Sequence, residues 1–231
     1  GLFTLAPKEH DNINLHRKSL MKELSNGIRW DGDLLLNKHL SDFADLSSKG
    51  WLSIIPNVGY PEPNTSHFIS SEIWATGFLP SEGLTRMGWF GNLIQESKLN
   101  IGELKRTAIS FESGRQLIFQ GEINHGVSFS KNNTSFILNK ELHELVHEND
   151  VFMGYEGIHN ELKTHINLSN LFADIKLSHG YPKTALGKKL ATISSMIKKQ
   201  KPFKVFHIKH SGYDTHLGQF IRLNNLYNDL G

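Results

Sequence analysis

Apolar positions recur at helical spacing through Leu36, Leu40, Phe43, Ala44 and Leu46, which predicts a helix over Asp33 to Ser48 with Gly50 placed to end it. Trp51-Leu52-Ser53-Ile54-Ile55 follows as a short apolar run and predicts a buried strand. Pro56, Gly59, Pro61 and Pro63 then stiffen an extended loop. A second helix is predicted from Ser66 to Ala75, with Ser66 as its N-cap, Gly77 beyond its end, and Phe68, Ile73 and Trp74 as its apolar anchors.

The middle third has a different texture. Thr107 to Phe111, Gln116 to Gly121 and Val127 to Leu138 are short β-like runs separated by Gly, Asn and Ser, whereas Lys140 to Asn149 and Gly157 to Leu177 read as helices. The α/β rhythm returns in a helix over Thr184 to Gln200, with Leu186, Leu190, Ile193 and Ile197 on one face. Pro202 breaks it, and Phe203 to Ile208 reads as a strand. A last helix is expected from about Gly218 to Leu230. The resulting expectation is an α/β protein with a mostly parallel central sheet flanked by helices. Residues 1–97 and 181–231 form its core, and 98–180 a mixed α+β insertion or cap.

Composition narrows the class. With 231 residues, 38% hydrophobic and 21% charged, the chain has the make-up of an ordinary globular protein. Its net charge is only +2, and the one dense basic run, Lys198-Lys199-Gln200-Lys201, sits at a helix end where cations favour the dipole, so nucleic acid is not an expected partner. There is no cysteine, which excludes disulfides, thiolate metal sites and cysteine nucleophiles. No apolar stretch approaches the ~20 residues of a membrane-spanning helix.

Two motifs carry chemistry. In Gly59-Tyr60-Pro61-Glu62-Pro63-Asn64-Thr65-Ser66-His67-Phe68, Ser66 stands at a helix start, where backbone N–H groups and the helix dipole favour an anionic substrate and a developing alkoxide. Read locally, Ser66 is equally a simple cap, whose removal costs ~1 kcal/mol. His67 is either a contact to an ester oxygen or metal, or a structural histidine. No Gly-x-Ser-x-Gly surrounds Ser66, so an α/β-hydrolase elbow is not supported. In Gly212-Tyr213-Asp214-Thr215-His216, Asp214 and His216 are donors suited to zinc or manganese, or else loop residues bonded to nearby backbone. His207 and His210 read as structural.

Taken together, Gly1 to Pro7, Leu52 to Ser71, Tyr181 to Lys188 and Tyr213 to His216 resemble an uncharacterised sulfatase-like family, domain of unknown function 1501, of the alkaline phosphatase superfamily. The resemblance implies two divalent metals at strand ends, zinc first, with manganese, calcium or magnesium as alternatives. It makes Ser66 the nucleophile, Asp214 and His216 ligands of one metal, and His67 and Asn64 pocket residues. The implied substrate is a small-molecule or polymer-attached phosphate or sulfate ester, and the implied location is exported or periplasmic, since relatives often bear a twin-arginine leader.

Departures from the pattern are informative. Phe68 and Ser70 stand where a formylglycine sulfatase needs Pro or Ala and then Arg, which argues against that chemistry. Asp214 and His216 are closer together than in other branches. The family's Gly-Gly-Asn-Asp-like motif precedes the segment matching Gly1, and its Glu-Phe-Gly-Arg and Asp-His-Gly motifs follow the segment matching Leu230. The expectation is therefore an internal portion of a longer member. The alternative is a non-catalytic binding or surface-assembly protein on the same fold, or an inert fragment of the parent enzyme.

Overall fold

A computed structural model describes residues 3–56, 58–83, 87–97, 108–122, 124–128 and 175–231. The helices expected over 140–149 and 157–177 and the β-like run beyond 128 lie outside the described residues, except that 175–177 are not helical. The chain divides into two compact units, Gly1–Glu62 with His210–Gly231, and Pro63–Lys209.

In the first unit, β1 (Leu5–Pro7), β2 (Ile28–Arg29) and β3 (Leu34–Leu36) make an antiparallel sheet in the order β1-β3-β2. Leu36 pairs with both Leu5 and Ile28. Helices α1 (Asp11–His16) and α2 (Lys18–Leu24) fill the connection between β1 and β2. The helix expected over Asp33 to Ser48 is therefore only half present. Residues 34–36 are a strand, 38–40 a 3-10 turn, and α3 covers Ser41–Ser48. Two local devices explain the change. The chain reverses through Asp31 and Gly32, with Gly32 at φ +54°, and the Leu34 N–H donates to the Asp31 carbonyl at 3.0 Å. Buried Asn37 donates to the Phe3 carbonyl at 3.1 Å and accepts from the His39 N–H at 3.0 Å, tying the end of β3 to the chain start.

The core of this unit gathers Phe3, Ala6, Leu20, Leu24, Leu36, Leu40, Leu223 and Tyr227. The last two come from the helix Gln219–Leu230 (α7), which begins after Gly218 as expected. Trp51 to Ile55 is not a strand: Trp51 and Ile55 are more than three-quarters exposed, and the Trp51 N–H donates back to the Leu46 carbonyl at 2.9 Å, so the buried strand expected there is not formed. Only Ile54 packs against the core.

The second unit holds α4 (His67–Thr76), α5 (Trp89–Glu96), β4 (Ala108–Ser110), β5 (Gly126–Ser128), α6 (Ala185–Lys198) and β6 (Val205–His207). Its three strands form a parallel sheet, β5-β4-β6, flanked by helices. The fold is thus mixed α/β with a parallel sheet, as its alternating pattern predicted. Ile109, Phe111, Val127, Met196 and Phe203 make its core.

Three expectations within this unit change. Residues 117–119 form a 3-10 turn instead of a β run, because α5 lies against its backbone: a Cβ at Gly91 would fall 2.5 Å from the Gln120 carbonyl carbon. Helix α6 buries Leu186, Gly187, Ala191, Ser195 and Met196, while Leu190 and Ile197 are exposed, so small residues set the buried face. In α4 only Ile73 of the three expected anchors is buried; Phe68 and Trp74 are exposed.

Candidate functional site

The Asn64 to His67 segment enters α4 through a local hydrogen-bonded turn. The Ser66 N–H donates to Asn64 Oδ1 at 2.8 Å, and Ser70 Oγ donates to the Asn64 carbonyl at 2.9 Å. Asn64 therefore shapes the loop as an Asx turn. Ser66 is the N-cap residue in position, with extended backbone, but its side chain makes no capping hydrogen bond. This corrects the simple cap reading: the hydroxyl is half-buried at the helix start without being spent on that helix. His67 opens the first turn and is exposed, as is Asn64. Gly77 ends the helix at φ +78°, a conformation that glycine adopts at little cost.

Asp214 and His216 follow β6 in the chain. Asp214 Oδ1 and His216 Nδ1 lie 3.7 Å apart, with side chains 62% and 83% exposed. An oxygen and a nitrogen donor at that separation fit one divalent ion at ~2.1 Å from each, since two such bonds reach further than the gap. They supply two donors. Among the described residues no group of three or more His, Asp or Glu side chains gathers as a metal site would.

The parallel sheet carries a polar cluster that the sequence reading did not single out. Ser110 ends β4 and His207 ends β6; the two are register partners, and Ser110 Oγ lies 2.9 Å from His207 Nδ1. The Glu112 N–H donates to Ser110 Oγ at 3.2 Å. The serine oxygen thus joins two groups, the Glu112 backbone and the His207 ring, in one hydrogen-bonded set. Ser110 is fully buried, so it positions His207 and is not an accessible nucleophile. The edge of the Phe119 ring meets the His207 ring at 5.7 Å between centroids.

Glu112 completes the layer. Its Oε1 accepts from Lys189 Nζ at 2.5 Å and from the Lys209 N–H at 2.9 Å. Burial works to raise the Glu112 pKa, but the hydrogen bonds from Lys189 and Lys209 and the nearby positive charge outweigh it and hold the carboxyl below its ordinary value. His207 is held below the ordinary imidazole value, first by burial, with Glu112 opposing and Lys189 and Lys209 assisting. The strand order reverses at β4, and the carboxyl edge of such a reversal is where open parallel sheets place ligands. The local signal available in sequence was a carboxylate two residues beyond a buried strand. Its partners lie 77 and 97 residues away.

No protein-family model, curated protein or solved structure matches this chain. Among the described residues no helix is long and apolar enough to cross a membrane.

Proposed function

We propose that the chain is part of a metal-dependent hydrolase of phosphate or sulfate esters, on an alkaline phosphatase-like fold to which the parallel sheet belongs. The observation that carries this reading is Ser66: a hydroxyl at the start of a ten-residue helix, held in place through its backbone by Asn64 yet making no cap bond. Together with the Gly59 to Phe68 resemblance, this supports Ser66 as the nucleophile.

In this reading the α4 N-terminus favours the ester's anionic oxygens through its orphan N–H groups and dipole. Ser66 Oγ attacks phosphorus or sulfur as its proton passes to water, the ester P–O or S–O bond breaks on the opposite side, and the departing alkoxide takes a proton from water. Asn64 keeps the loop shape, and His67 lines the approach. Asp214 and His216 would hold a divalent metal, zinc first, which would supply Lewis-acid chemistry, lowering a hydroxyl pKa and stabilising developing negative charge. By the same resemblance the protein is exported.

The test is elemental analysis of chain purified without chelators, set beside hydrolysis of p-nitrophenyl phosphate and p-nitrophenyl sulfate. Bound divalent metal that is lost in Asp214→Ala/His216→Ala, and turnover abolished in Ser66→Ala, are the expected results. A metal-free chain with no turnover after zinc or manganese is supplied would overturn hydrolysis by this chain and favour a non-catalytic binding protein or an inert portion of the parent enzyme.

A further inference from the structure

The first compact unit contains a cavity of about 750 Å³ beside the α1–α2 corner and α7. That volume falls within the range of small-molecule sites, roughly 300–1,000 Å³. One wall is aromatic and continuous: Phe3 lies 5.5 Å from Phe220 and 5.8 Å from Tyr227, and Tyr213 lies 5.8 Å from Tyr227, between ring centroids. Buried Leu20 and Leu223 extend it.

Arg17 is the charged side chain of the lining. It stands beside His16 at the junction of α1 and α2, and among the described residues no Asp or Glu lines the cavity. Asp229 is not in the lining: its Oδ2 lies 3.3 Å from His210 Nε2, and His210 Nδ1 lies 2.8 Å from the Tyr213 hydroxyl. Tyr213 lines the cavity with its hydroxyl engaged by His210. The Tyr227 hydroxyl is engaged with Thr4 Oγ1 at 2.6 Å, which fixes that ring in the wall.

We propose that this cavity binds an organic anion with a flat aromatic body, the ring system against the Phe3–Tyr227–Tyr213 wall and the carboxylate or sulfonate at Arg17. Arginine offers a planar donor fork matched to such a group, and aromatic rings prefer offset or edge contacts of the kind this wall supplies. The site uses none of Ser66, Asp214 or His216, so it stands or falls separately from the hydrolase reading.

The test is isothermal titration calorimetry of the full chain with 2-naphthoate and with its uncharged counterpart 2-naphthylmethanol. Naphthoate binds at one site, and both the loss of its charge and Arg17→Gln weaken binding by at least about tenfold, the size of one charge-assisted contact. Arg17 is exposed, so this variant keeps its fold, as circular dichroism verifies. Phe220→Ala weakens both probes alike. Absence of saturable naphthoate binding, or naphthoate affinity unchanged in Arg17→Gln, overturns the proposal.

Discussion

The Ser110 hydroxyl lies 2.9 Å from Nδ1 of His207, joining the last residues of two neighbouring parallel strands that stand 97 positions apart in the chain. The same oxygen accepts the Glu112 N–H, and Glu112 in turn takes up Lys189 and the Lys209 backbone. One small buried side chain thereby fixes the polar edge of the parallel sheet.

Removing that hydroxyl leaves the Glu112 N–H and His207 Nδ1 each short of a partner. Ser110→Ala should lower stability by about 1–3 kcal/mol, the cost of an unsatisfied buried polar group. Urea unfolding of the two proteins measures it. A change under about 0.5 kcal/mol, the scale of ordinary surface substitutions, would mean that the pair does not brace the sheet.

Acid should act on the same edge through His207. Burial, its first cause, holds the His207 pKa below the ordinary 6.5, so between its folded value and 6.5 the folded state binds fewer protons than the unfolded chain. This contribution is complete above pH 6.5 and is lost as pH falls through the folded value. Burial gives His125 the same sign. A melting-temperature profile over that interval should therefore decline toward acid, and His207→Gln should flatten it in part. An equally steep profile in the variant would assign the decline to other groups.

Two helix starts should respond differently to the same deletion. Thr184 Oγ1 accepts the Gly187 N–H at 3.0 Å, whereas Ser66 makes no such bond. Thr184→Ala should cost ~1 kcal/mol of stability, as capping residues do. Ser66→Ala should change stability by less than about 0.5 kcal/mol, as expected away from such features. Equal losses in chemical denaturation would show that Ser66 serves its helix after all, and any effect on ester hydrolysis would then be confounded with folding.

His125 offers a gain. The residue is buried, and among the described residues neither ring nitrogen has a hydrogen-bond partner. A neutral imidazole in that setting still strands a donor and an acceptor. His125→Phe keeps a planar ring and removes both, so it should raise stability by about 1 kcal/mol or more. A lower melting temperature for the variant would mean that the extra ring volume, and not the stranded nitrogens, dominates at this position.

Short-range signals made much of the fold legible. The periodicity and end signals around Ser66 and Gly77 located α4, those around Thr184 and Pro202 located α6, and the strands at 108–110 and 205–207 lie inside apolar runs. Residues 34–36 show where this fails. Three leucines suit a helix or a strand equally, and pairing with Leu5 to Pro7 and with Ile28 and Arg29 selects the strand. The run Trp51 to Ile55 has the composition of a buried strand and finds no strand partner.

The candidate site divides along the same line. By itself the sequence determined that Ser66 begins a helix, that Asp214 and His216 share a short loop, and that these 231 residues offer no cysteine chemistry, because residue type and spacing of a few positions are local properties. Tertiary structure decided that α6 turns its small residues inward, and that Ser110, Glu112, Lys189 and His207 meet at one sheet edge. Those outcomes depend on groups brought together by strand pairing and burial, and neither is encoded in any short window of the chain.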